Sequence, residues 1–343
     1  MVDIKLYIVS QLLDWLVHDQ PTDGLSEQVI APTRAWAIIH NPYVRDDDAI
    51  VAAIFEDGEL AAYTASFPDM LDGQRIWWAS TLYCYPQFAG RGYGMIVVGS
   101  LMEAHEPDLT YDRWGAQETV EICNHIGLNT TYTLRYCLKD KSINTTTPKG
   151  KLVALLHFMK KSIRPKKLSN VNYSLRYATY IDGEAYLFMK EHRCNDLWLR
   201  EQEMLNWILT YPMWQGCTLP NRVEKDLEFT ANAKSFDYKV VKMYVDGTLQ
   251  GVYVLRRNGY TLSVIYLYYS QEYRDVVFAS IVDHMIIEKP ICVSVESKEL
   301  RDYIQNELQF SRSEEEQISF SIPLGVMIPE TYTLQFGDGD SFL

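Results

Sequence analysis

Leu82-Tyr83-Cys84-Tyr85-Pro86-Gln87-Phe88-Ala89-Gly90-Arg91-Gly92-Tyr93-Gly94, followed by Met95-Ile96-Val97-Val98, is the stretch that decides the fold. It reads as a strand, a glycine turn and the start of an apolar helix. The first turn of a helix has unpaired N–H groups and a partial positive charge. Glycines let that backbone come close to an anion, so successive N–H groups can cradle a phosphate or pyrophosphate. The context narrows the candidates. A dinucleotide fold places its glycine turn after the first strand of a βαβ unit. Here the turn follows a fourth strand, after an antiparallel hairpin. A Walker loop needs Gly-Lys-Ser/Thr, which is absent from this stretch.

Upstream, residues 4–9 read as a strand, and 10–18 and 26–40 carry helical apolar spacing, the second stopped by Asn41-Pro42. Ile50–Phe55 and Leu60–Ser66 flank Glu56-Asp57-Gly58-Glu59, a hairpin signal. Ile76 to Tyr85 is the next strand. Downstream come a further strand, a helix near 117–126 and a strand near 131–138. The second half repeats the plan. Leu199–Leu209 reads as a helix, and Lys239–Val245 and Leu249–Leu255 flank a second Asp-Gly turn at Asp246-Gly247. A strand at 260–269, a helix at 275–288, a strand at 291–295 and a helix at 298–308 follow. The repeat is one of architecture rather than of residues.

The strand–turn–helix run resembles motif A of the GNAT acyltransferases. Leu82, Pro86 and Phe88 fit the strand end, and Ala89, Gly90, Arg91, Gly92, Tyr93 and Gly94 fit the turn. Ala89 departs from the usual Arg or Gln at the first turn position, where the family uses backbone more than side chain. The resemblance covers about residues 1–138. It implies an α/β (α+β) chain of two tandem GNAT-like domains, each a mixed, mostly antiparallel central sheet flanked by helices. The expected division is 1–138 as an acyl-CoA-binding domain, 139–170 as a basic connector, 171–330 as a degenerate second copy and 331–343 as a C-terminal tail. Asn41-Pro42-Tyr43, Asp46-Asp47-Asp48, Pro68-Asp69 and Trp78-Ala79-Ser80-Thr81 also look like a bacterial subgroup found with surface-polysaccharide genes.

The resemblance implies an N-acetyltransferase that uses acetyl-CoA as donor and passes the acetyl group directly to a primary amine, with an amino sugar as the preferred acceptor. The donor would lie on the strand at Leu82, Tyr83 and Cys84, with its pyrophosphate on the N–H groups of residues 89–94. The N–H near Leu82 would polarise the thioester carbonyl. Many members carry a tyrosine acid four residues before a Gly-Phe pair. Here that place, counted from Gly127-Leu128, is Cys123. The place of the strand carboxylate found in some members is Trp78. Glu118, His125, Asp69 and Tyr83 are the other candidates for a base, and Glu118 and Cys123 are the catalytic assignments. In the second half, Tyr269-Ser270-Gln271-Glu272-Tyr273-Arg274-Asp275 has no glycine and two acids, so that half is expected not to bind CoA. The other readings are a non-catalytic tandem-GNAT binding or structural protein and a Fem-type aminoacyl transferase.

Composition bounds these readings. The chain has 343 residues, 47% of them hydrophobic and 22% charged, which is the balance of a globular protein. Its 24 tyrosines and 8 tryptophans suit half-buried strands and clefts. A net charge of −13 disfavours nucleic acid as a partner. The charge is uneven, because residues 139–167 hold nine basic side chains against the single acid Asp140. The stretch 149–167 is a candidate for contact with an anionic membrane surface, or a solvated helix between the halves. The six cysteines show no metal-ligand spacing, so no metal is expected and the thiols read as reduced. With no leader-like N-terminus and no apolar run of about 18 residues, the expected compartment is the cytoplasm.

Overall fold

The computed structural model describes residues 1–18, 23–113, 115–140, 171–193, 195–210 and 236–339. The basic stretch 149–167 lies outside the described residues. The first half runs β1 (Val2–Ile8), α1 (Val9–His18), α2 (Pro32–Ile39), β2 (Ala49–Glu56), β3 (Glu59–Leu71), β4 (Gln74–Cys84), α3 (Tyr93–His105), β5 (Leu109–Arg113), α4 (Gln117–His125) and β6 (Leu128–Lys139). The second runs β7 (Tyr173–Ala178), α5 (Gly183–Glu191), α6 (Gln202–Thr210), β8 (Phe236–Val245), β9 (Thr248–Asn258), β10 (Thr261–Tyr269), α7 (Arg274–Glu288), β11 (Cys292–Val295), α8 (Lys298–Leu308) and β12 (Arg312–Pro323).

Local chemistry explains most of these elements. In α1, Val9, Leu12, Trp15 and Leu16 recur at helical spacing and are all buried. The helix expected over 26–40 is shorter, because Pro32 starts it at the position where a missing N–H costs nothing. Ser26–Ile30 forms turns instead, with the Val29 and Ile30 N–H groups on Ser26 O. Both expected hairpins form, with Asp57-Gly58 and Asp246-Gly247 all at positive φ.

The strands form one twelve-stranded sheet in the order β1-β2-β3-β4-β5-β12-β6-β11-β10-β9-β8-β7. Read from either end, that order visits corresponding strands of the two halves, so the molecule has an internal pseudo-two-fold at its centre. Among the described strands, β4/β5 and β10/β11 are the parallel pairs. At the centre the halves exchange strands. β12 lies between β5 and β6, and β6 pairs with β11 over Tyr136–Lys139. The division near residue 138 in sequence is therefore bridged in the sheet from both sides.

On one face, α1, α2, α5 and α6 share a single core with the tail residues Leu334 and Phe336. Trp207 of α6 packs on Phe67, with ring centroids 5.7 Å apart, and its indole N–H reaches Ala37 O at 2.8 Å. On the other face each half has its own core, α3 over the first and α7 with α8 over the second. Among the described residues no helix is long and apolar enough to cross a membrane.

Candidate active site

β4 and β5 pair over Ile76–Ala79 and Leu109–Asp112 and then part. Among the described residues, β4 from Ser80 onward keeps β3 on one side only, so its other edge is open to a ligand that can pair with backbone. A bulge sits at that point. Tyr63 pairs with Tyr83 and Ala65 with Ser80, so Thr81 and Leu82 together oppose Thr64. Thr81 has φ +53°, a left-handed conformation that a β-branched residue resists. A cavity of about 200 Å³ opens beside it, with Ser80, Thr81 and Leu82 on one wall and Asp112, Thr119 and Cys123 on the other.

β4 runs through a single turn at Pro86–Phe88 into Ala89, Gly90, Arg91 and Gly92, and α3 then begins at Tyr93. Gly90 and Gly92 both have φ +78°, and Gly92 is the left-handed N-cap of α3. No side chain caps that end. The N–H groups of Gly90, Arg91, Gly92 and Tyr93 meet no backbone partner among the described residues, which leaves them for an anion. Gly94 is glycine for packing: a Cβ there would lie 2.7 Å from Ile122 Cδ1 and 3.2 Å from Cys84 Sγ.

The predicted site residues fall into three groups. Leu82, Tyr83 and Cys84 stand on the open-edged strand. Leu82 and Cys84 lie on the α3 side, and Tyr83 packs on the opposite core, 5.8 Å from Tyr63. Cys84 accepts the Gly94 N–H, and burial pushes its thiol above the usual value. Ala89 to Gly94 form the turn. Arg91 does not reach over its rim, because the guanidinium pairs with Glu56, which also accepts the Tyr93 hydroxyl at 2.9 Å. Cys123 is buried on α4 and lines the cavity, whereas Glu118 is exposed on the first turn of the same helix and does not. Burial, and then the charge of Asp112, push the Cys123 thiol up to about 12 against a hydrogen bond from Ser321.

The remaining base candidates are structural. His125 is exposed, its ring on Glu121 O at 2.6 Å. Asp69 is fully buried and accepts from Trp78 Nε1 and Arg200 Nε, both at 2.8 Å. Asp112 is the residue that sequence reasoning missed. It pairs with Ala79, the last β4 residue before the strands part, and it is buried and lines the same cavity as Ser80–Leu82. Only the pairing register reveals it.

The corresponding place in the second half is built differently. β10 leaves β11 after Ser263, and β10 has its irregularity at Ile265. Here the edge is taken: Gly337 N–H donates to Ile265 O at 2.9 Å. The tail that carries Gly337 is pinned by Arg200, which donates to Gly337 O and Gly339 O at 2.8 and 2.7 Å, and by Arg113, which donates to Gln335 O at 2.8 Å. The turn into α7 has no glycine, and Glu272 and Asp275 stand at its mouth.

The sequence matches no protein-family model and no curated protein. Solved structures do match over nearly the whole chain. A putative acetyltransferase from Pyrococcus horikoshii is similar at 10% identity and TM-score 0.53, covering 99% of this chain and 95% of its own. A tandem GNAT protein from the clavulanic acid biosynthesis pathway is similar at 12% identity and TM-score 0.52, covering 95% and 100%. The N-myristoyltransferase of Saccharomyces cerevisiae, solved with bound myristoyl-CoA, is similar at 11% identity and TM-score 0.50, covering 94% and 78%. At these identities the likeness is one of fold, and it shows the chain to have a mixed α/β fold of two GNAT-like domains in tandem.

Proposed function

We propose that the protein is an acyl-CoA-dependent N-acyltransferase with one donor site, in the first half. The observation that carries this reading is the pairing of an open β4 edge, kinked at Thr81, with a glycine turn whose Gly90–Tyr93 N–H groups meet no backbone partner among the described residues. That combination fits a ligand with amides at one end and a pyrophosphate at the other. The amides would add to the edge at Ser80–Cys84, and the pyrophosphate would rest on Gly90–Tyr93. The Leu82 N–H, out of register at the bulge, would stabilise the oxyanion as an amine attacks the thioester. The acyl group moves directly to the amine, so no protein nucleophile is used.

In this reading Asp112 holds the acceptor's ammonium and takes its proton, because it is the carboxylate in the cavity wall. Cys123 stays a neutral thiol, because burial and the charge of Asp112 disfavour its thiolate. A thiol at about 12 does not supply a proton to a leaving thiolate whose own thiol titrates near 8.5. The acceptor is a primary amine of small size, and an amino sugar is the class we favour.

Calorimetric titration of the purified protein with acetyl-CoA tests the reading, with Gly92→Asp as control. The aspartate cannot keep φ +78° without strain and sets a negative charge in the anion cradle. The expected result is one micromolar site per chain, lost in the variant. Absence of binding to folded protein by both acetyl-CoA and myristoyl-CoA overturns the proposal.

A further inference from the structure

A second cavity lies in the second half. It measures about 400 Å³ and sits where β10 and β11 part, the topological counterpart of the first cleft. The tail closes one side through Thr333–Phe336, and Val264, Leu267 and Leu300 give it an apolar floor. With the β10 edge occupied by Gly337, a CoA-like ligand has no strand to join there. What remains is a pocket with its own polar design.

The deep wall is acidic. Glu296 has a side chain only 10% exposed; its Oε1 accepts from Arg113 at 2.6 Å, while its Oε2 meets no donor among the described residues. A buried carboxylate oxygen left without a donor is costly, so its presence at a cavity wall marks a place for a ligand N–H. Asp196, also buried, is already committed to Gln335 and Thr333. The rim is mixed: Lys298 and Arg193 bring positive charge, and Glu299, also in the lining, is turned toward Arg274 at 3.4 Å. Lys298 is exposed at the first position of α8, whose N-cap Ser297 also lines the cavity, so a helix N-terminus and an ammonium point the same way. Arg193 is drawn off to Asp72 at 2.9 Å and does not cancel the acidic wall.

We propose that the second-half cleft binds a small zwitterion of the α-amino-acid class, its ammonium on Glu296, its carboxylate at the start of α8 beside Lys298, and an apolar side chain on the Val264–Leu267–Leu300 floor. The inference does not rest on acyl-donor binding in the first half. Burial pushes the Glu296 carboxyl up to about 7 against the pull of Arg113, with Asp338 and Arg135 the other charges acting on it and His192, Arg193, Asp196, Lys298 and Glu299 around the same cavity. An ammonium ligand favours the ionised carboxylate. Affinity therefore rises with pH up to that value, and falls by about tenfold per pH unit below it.

Calorimetry on the full chain without any acyl donor tests the site. The probes are L-leucine, 3-methylbutylamine, which lacks the carboxylate, and 4-methylpentanoate, which lacks the ammonium. L-Leucine is expected to bind at one site more tightly than about 1 mM, with each truncated probe weaker by about tenfold. Glu296→Gln should weaken L-leucine by at least about tenfold, the scale of a charge-assisted hydrogen bond. If that variant fails to fold for loss of the Arg113 pair, exposed Lys298→Ala, expected to weaken binding several-fold, and the pH series on the native protein decide instead. No binding to folded protein overturns the proposal. So does amine binding as tight as L-leucine, or an affinity indifferent to pH and to Lys298→Ala.

Discussion

The two clefts start from one plan and end as different devices. In the first, β4 leaves β5 with its edge bare, its bulge residue held left-handed at Thr81, and two left-handed glycines ahead of α3. In the second, β10 leaves β11 with its edge paired to the tail, no left-handed residue at Ile265, and Glu272 and Asp275 in place of the glycines. Strain, bare backbone and positive helix-end potential appear together in one half and vanish together in the other. Backbone strain persists where the surroundings over-determine it, and that is commonly at a working site. The second half keeps the cleft and loses the features that would hold an acyl donor.

The tail that makes this difference is held by a buried charge network between the halves, and the largest expected effect lies there. Arg200 is about 1% exposed, ties Asp69 of the first half at 2.8 Å and caps two tail carbonyls. Arg200→Ala would leave the Asp69 carboxylate buried without its cation. The expected loss is about 3–5 kcal/mol of stability, read from the denaturant midpoint. An apolar pair, Asp69→Leu with Arg200→Met, should recover part of that loss, because it removes the stranded charge. Should Arg200→Ala free the tail to proteolysis with stability unchanged, the halves would be energetically independent and the comparison would concern two separate domains.

A smaller effect separates the tail from the turn as the cause of the second cleft's closure. A Cβ on Gly337 would come within 2.5 Å of the Tyr266 ring, so Gly337→Val should cost about 1–3 kcal/mol as the tail is forced off β10. Donor stoichiometry, read by the same acetyl-CoA calorimetry, should remain at one per chain, because the turn into α7 still offers two acids and no glycine. A second site appearing in this variant would show that the tail alone distinguishes the halves.

The features legible in the sequence are those written in local chemistry. Asp57-Gly58 and Asp246-Gly247 announce their hairpins, and residues 82–98 announce strand, turn and helix, because each rests on neighbours along the chain. The features that were not legible depend on pairing between distant residues. β12 carries Glu314, Glu315 and Glu316 and receives no element from the sequence, yet Glu314 and Glu316 pair with Lys139 and Arg135 on β6 while Ile318, Phe320 and Ile322 enter the core. The exchange of β6 and β12 follows from that long-range match. Asp112 becomes a candidate only once Ala79 is known to be its partner and the last paired residue on β4. The tail reads as an appendage, because nothing in Leu334-Gln335-Phe336-Gly337 says that Arg113 and Arg200 await it.

The smallest effect falls on the residue that most sharply distinguishes the clefts. Thr81 at φ +53° carries strain of about 1–2 kcal/mol for an L residue, and more for a β-branched one. Ser80 Oγ lies 3.3 Å from Thr81 Oγ1, close enough to offset some of it. Thr81→Gly removes the strain but adds backbone freedom to the unfolded chain, worth about 0.5–1 kcal/mol in the other direction. The expected net change is a stabilisation of less than about 1 kcal/mol. Donor affinity should fall a few-fold, because a glycine no longer fixes the orientation of the Leu82 N–H. The matched variant Ile265→Gly has no strain to relieve and removes a buried side chain, so it should destabilise by about 2–5 kcal/mol. Opposite signs at corresponding bulges would show that the left-handed kink was kept in one half at a cost to stability. Equal losses at both would place Thr81 among ordinary packing residues and leave the glycine turn as the first half's only distinguishing device.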